Sequence, residues 1–104
     1  MNCIAPIVAG LLLLFASRAF AADVKLLDFT ASWCQPCREM QPVVDKIEAA
    51  GYAVEKVDVD KNAKQVQKYN ISALPTFVVI DRDGLEVRRL LGKTTLERLR
   101  EALK

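Results

Sequence analysis

Histidine is absent from this chain of 104 residues. Its absence removes every catalytic triad built on imidazole and every His-ligated zinc site. With Arg38 following Cys37, it also removes a c-type haem attachment. Charge of one sign is lacking too: 15 Lys and Arg stand against 13 Asp and Glu, a net charge of +2. Nucleic acid is therefore not an expected partner, because phosphate binding needs several clustered cations. Arg88, Arg89, Lys93, Arg98, Arg100 and Lys104 make the end of the chain locally basic, but Glu86, Glu97 and Glu101 are interleaved with them, the pattern of a solvated face. No repeat, low-complexity tract or Gly/Ser linker follows residue 22, so the chain supplies one domain at most.

The apolar residues are unevenly placed. Cys3 to Ala16 reads CIAPIVAGLLLLFA without a charge, and Ala19-Phe20-Ala21 closes the segment with small, spaced side chains. The run is shorter than the ~20 residues of a membrane span. The expectation is a secretory signal covering residues 1–21, cleaved after Ala21. Met1-Asn2 carries no Lys or Arg, so the positive end of such a signal would be the α-amino group alone, and an uncleaved membrane anchor is the alternative. Residues 22–104 then form the domain. Removing Arg18 leaves 14 basic and 13 acidic groups, and Cys3 goes with it, leaving two cysteines. A domain of this size buries a modest core and needs nearly every element to pack.

Val24 to Thr30 is a short apolar run suited to a strand covered on both faces, hence central. From about Gln35 to Ala50, Met40, Val43, Val44 and Ile47 recur at helical spacing, with Pro42 inside and Gly51 as terminator. Ala53 to Val59 is a second strand whose Glu55, Lys56 and Asp58 suit a sheet margin. Asp60 is placed to cap a short helix over Lys61 to Tyr69, with Ala63, Val66 and Tyr69 inward. Thr76 to Ile80 is a buried strand, Arg82-Asp83-Gly84 a hairpin turn and Glu86 to Leu91 its partner. Thr94 and Glu97 have the spacing of a capping box ahead of a helix striped by Leu96, Leu99 and Leu103, read as core with no cofactor intended. The order is β-α-β-α-β-β-α: an α/β domain whose first crossover is right-handed and parallel and whose last hairpin is antiparallel, giving a mixed sheet with helices on both faces.

Cys34 and Cys37 fall where the first strand runs into the first helix. A sulfur at a helix N-terminus faces unpaired amides and the positive end of the dipole, both of which favour thiolate. A second thiol one turn on sits within reach to resolve a mixed disulfide. Other readings of the pair remain open. As a structural staple it closes too short a loop to remove much unfolded-state entropy. As half of a zinc site it needs a second chain, because four ligands are required.

Asp28-Phe29-Thr30-Ala31-Ser32-Trp33-Cys34-Gln35-Pro36-Cys37, followed by Leu74-Pro75-Thr76, resembles the thioredoxin family. The resemblance covers almost all of residues 22–104 and implies the thioredoxin fold in its minimal four-stranded form, without the first strand and helix of full-length members. It assigns Asp28 as the buried acid before the motif, Trp33 as the aromatic beside the first cysteine, and Pro75 as a cis-proline facing the disulfide. It also assigns Lys56 as the lysine near the acid, and Gly84 and Gly92 as turn and strand-end glycines. Gln35-Pro36 in place of the usual Gly-Pro, together with the missing first strand and helix, points to an exported, shortened member.

The function implied is thiol-disulfide exchange on protein substrates, with Cys34 attacking and Cys37 resolving. Asp28, in an apolar strand on the same face as Leu26, is a proton acceptor whose pKa burial would raise and Lys56 would moderate. Trp33, Leu74, Pro75 and Thr76 are the expected substrate contacts, pairing with an extended segment in β fashion. Family oxidants often carry a histidine between the cysteines; Gln35-Pro36 leans toward a reductase or a moderate exchanger. Outside the cytoplasm a reductase needs electrons, so a membrane thiol donor is the expected partner, and the expected state is a monomer. The rival from another class is a binding module in which Trp33 and Leu74-Pro75 hold a peptide and redox cycling is incidental.

Overall fold

The computed structural model describes residues 23–104, so the signal or anchor read in residues 1–21 lies outside the described residues. The elements are β1 (Val24–Thr30), α1 (Gln35–Ala49), β2 (Ala53–Asp58), α2 (Ala63–Lys68), β3 (Thr76–Asp81), β4 (Glu86–Leu91) and α3 (Leu96–Ala102). They form one sheet in the order β2-β1-β3-β4. The β1–β2 pair is parallel, as a helical crossover requires, and the β1–β3 and β3–β4 pairs are antiparallel. The expected mixed α/β sheet is present, with β1 interior and the charged β2 at one margin.

Period-two alternation sorts the side chains of the interior strands onto two faces. Leu26, Phe77 and Val79 face Met40, Val44 and Ile47 of α1 and Leu99, Ala102 and Leu103 at the end of the chain. Leu27, Phe29, Val57, Val78 and Ile80 point to the other face, where Tyr69, Ile71 and Leu74 cover them. Asp28 pairs across the sheet with Phe77 and therefore shares the face under α1. It is fully buried.

The helix α1 ends because Gly51 adopts φ +102°, open only to a residue without Cβ strain. There Gly51 N–H donates to Glu48 O and Tyr52 N–H to Ile47 O, the paired closure that satisfies the last carbonyls. In the β3–β4 turn Gly84 takes φ +84°, and Asp81 Oδ1 accepts from the amides of Asp83 and Leu85.

Two helix starts differ from the sequence expectation. Asp60 does not cap α2, which begins at Ala63 with Asn62 at the cap position and no side-chain cap bond. A turn intervenes, in which Asp60 N–H donates to Asp58 Oδ1 and Lys61 N–H to Asp58 O, and the Asp60 carboxylate instead faces the Trp33 indole. With the start delayed, Ala63 is exposed; Val66 is half-buried and Tyr69 buried. In α3 the cap is Thr95, whose hydroxyl accepts from Arg98 N–H at 3.1 Å, so the Thr94–Glu97 box does not form. The Thr94 hydroxyl is turned inward and finds no partner among the described residues.

Candidate active site

The strand β1 runs into the loop Ala31-Ser32-Trp33 and then into α1, with Cys34 at the N-cap in extended conformation (φ −92°, ψ 108°). An extended N-cap turns its side chain back over the first helical turn, where amides lack partners. Cys37 N–H accordingly donates to Cys34 Sγ at 3.2 Å. That bond places a fixed donor against this sulfur, an arrangement that favours thiolate over thiol. Pro36 lies in the first turn, the part of a helix where a missing N–H removes no bond. Cys34 and Cys37 form a disulfide with Cα atoms 5.2 Å apart. Their exposures differ: Cys34 is 6% accessible and Cys37 1%.

Cys34 also lines a groove of about 520 Å³, together with Trp33, Val59, Val66, Ile71 and Leu74, whereas Cys37 does not. Trp33 is 65% exposed, and its Nε1–H donates to Asp60 Oδ2 at 2.9 Å, which holds the indole beside the groove mouth. The Leu74-Pro75 peptide bond is cis, as the resemblance implied. Pro75 O accepts from Gly92 N–H at 2.7 Å, tying this loop to the end of β4. Thr76, expected among the substrate contacts, is fully buried, and its hydroxyl donates to Ala73 O at 2.6 Å; it shapes the loop from beneath.

Burial raises the pKa of Asp28. Three side chains modify that effect: a hydrogen bond from Gln41 and the charge of Lys56 lower it, and the charge of Asp45 raises it. Lys56 does not bond to Asp28. Its ammonium donates to Asp45 Oδ1 at 2.9 Å, which raises the lysine's own pKa, and it reaches Asp28 only through space. Among the described residues no three of His, Cys, Asp and Glu cluster as a metal site.

The sequence reading missed Gln41, Asp60 and the groove wall Val59, Val66 and Ile71. Gln41 carried one usable signal: four residues after Cys37, it shares that cysteine's helix face. The others are gathered by tertiary contact from the turn after β2, from α2 and from the loop after α2.

The family model described as Thioredoxin matches residues 15–104. The chain belongs to the thioredoxin family. A thioredoxin of Staphylococcus aureus is 38% identical over 86 residues, covering 79% of this chain and 81% of that protein. An H-type thioredoxin of rice, Oryza sativa subsp. indica, is 43% identical over 74 residues, 69% of this chain and 60% of the longer plant protein. Among solved structures, a mutant thioredoxin from Halobacterium salinarum superposes with a TM-score of 0.71 at 36% identity, covering 79% of this chain and 73% of its own. Family and cysteine pair together make this a thioredoxin-like disulfide oxidoreductase.

Proposed function

We propose that the protein reduces or exchanges disulfides of protein substrates outside the cytoplasm, with Cys34 as nucleophile and Cys37 as resolving thiol. The observation that carries the assignment of roles is the asymmetry of the pair, since only Cys34 opens to the apolar groove. Cys34 thiolate attacks one sulfur of a substrate disulfide, the second substrate sulfur leaves as thiolate, and a mixed disulfide remains. Cys37 then gives its proton, relayed by water, to the Asp28 carboxylate and attacks Cys34 Sγ. The Cys34–substrate bond breaks, and its electron pair leaves on the substrate sulfur. The substrate gains two electrons, the protein keeps the Cys34–Cys37 disulfide, and a membrane thiol donor restores the dithiol. The groove wall of Val59, Val66, Ile71 and Leu74 favours an extended segment with apolar side chains around its cysteine.

Export is supported by the uncharged Cys3–Ala16 run and the Ala19-Phe20-Ala21 ending. Protein recovered from the native host should begin at Ala22; an intact N-terminus at Met1 would replace cleavage by anchoring. The decisive chemical experiment is a Cys37→Ser trap, which should accumulate covalent complexes with substrate that dithiothreitol releases, whereas Cys34→Ser should form none and reduce no insulin. Insulin reduction by Cys34→Ser would refute the assignment. The apolar groove also favours a binding module as second reading, which predicts partner binding unaltered when both cysteines become Ser.

A further inference from the structure

We infer that Gln41 is a positioning residue: its side-chain amide bridges the Asp28 carboxyl group and the Cys37 carbonyl, and holds a donor against the proton acceptor of the resolving step. The inference rests on the reading of Asp28 as that acceptor. Gln41 lies one helical turn beyond Cys37, and its Nε2 is 3.2 Å from Asp28 Oδ2 and 3.5 Å from Cys37 O. A backbone carbonyl only accepts, so an amide oxygen at this place would face an acceptor. The Cys37 carbonyl thus favours the orientation of the amide that directs an N–H at Asp28.

Among the described residues, Gln41 is the one hydrogen-bond donor to this carboxyl group, and the other oxygen, Oδ1, is buried without a partner. The charged neighbours are Lys56 on β2 and Asp45 on α1, which act on Asp28 in opposite senses and pair with each other at 2.9 Å. From β3 Phe77 lies opposite, and α3 presents Leu99 and Ala102 to the same core. A fixed N–H donor favours carboxylate over carboxylic acid and so opposes the effect of burial. Gln41 thereby extends downward the pH range in which Asp28 is available to take the Cys37 proton. The unpartnered Oδ1 is the free site for that proton, which arrives as the Cys34–Cys37 bond forms and the Cys34–substrate bond breaks.

The test uses Gln41→Met, which removes the donor at similar volume, and Gln41→Lys, which keeps a donor and adds charge. Both suit a half-buried helix position, since their helix propensities match that of Gln. Two quantities are followed against pH: the infrared carboxyl band of Asp28, assigned by its loss in Asp28→Asn, and the single-turnover rate at which a mixed disulfide on Cys34 is resolved. Gln41→Met should move the carboxyl titration and the acid limb of the rate to higher pH together. On that limb the rate falls about tenfold for each unit of displacement. Gln41→Lys should move both to lower pH, and in an Asp28→Asn background the kinetic differences between the Gln41 variants should vanish. A carboxyl titration left in place by Gln41→Met overturns the inference. A titration that moves while the rate profile stays supports the hold of Gln41 on the carboxyl group and overturns the acceptor role of Asp28.

Discussion

Replacing Asp28 by Asn should make the oxidised protein more stable with rising pH, by an amount that has a characteristic slope. Burial lifts the folded-state titration of Asp28 above its ordinary value of 3.8. Between those two values the folded protein holds a proton that the unfolded chain has lost. The stabilisation from neutral Asp28 is therefore complete below about pH 3.8 and is lost as pH rises through the folded-state value, at about 1.4 kcal/mol per pH unit. A carboxamide at this position does not titrate, so the variant escapes that loss. The amide can still accept from Gln41 but places an N–H where Oδ1 has no partner, a pH-independent penalty of about 1–3 kcal/mol. The difference in unfolding free energy between variant and wild type should thus be flat in acid, climb at that slope, and flatten again. Urea unfolding at stepped pH, with the Cys34–Cys37 disulfide intact throughout, measures it. A difference that stays constant from about pH 3 to about pH 9 would show that the carboxyl group is not destabilised by its burial.

Three further expectations concern the frame around the site. Leu99→Ala removes a fully buried side chain that joins α3 to the face above Asp28, and should cost about 3 kcal/mol, read by chemical denaturation at neutral pH. Thr95→Ala should cost about 1 kcal/mol by deleting the cap of α3, while Thr94→Val, which removes a buried hydroxyl without a partner, should cost nothing or stabilise; the reverse ranking would restore Thr94 as the cap. Trp33→Phe should break the bond to Asp60 and raise the KM for a peptide disulfide by several-fold while leaving the fold unchanged by circular dichroism, and an unaltered KM would remove the indole from the groove.

Much of the architecture was legible because local signals agreed with one another. The short, largely apolar run of β1 marked an interior strand, the charges of β2 marked a margin, and Gly51 and Gly84 stood where positive φ was needed. Helix starts were read less well. Asp60, Thr94 and Thr95 are all able to cap, and the choice among them depends on where each oxygen points. Trp33 draws Asp60 away from α2, and the packing of the loop turns Thr94 inward.

At the site, the linear chain was enough to specify the cysteine pair, its place at the start of a helix and the acid in the strand before it, because these follow from spacing along one continuous segment. Which sulfur faces the groove, which residues form the wall opposite, and what holds the Asp28 carboxyl group were settled by packing alone. Burial and direction are properties of the assembled sheet and helices. Lys56 shows the difference: the family resemblance placed a cation near Asp28, but the fold brought Asp45 closer, and the ammonium bonds there.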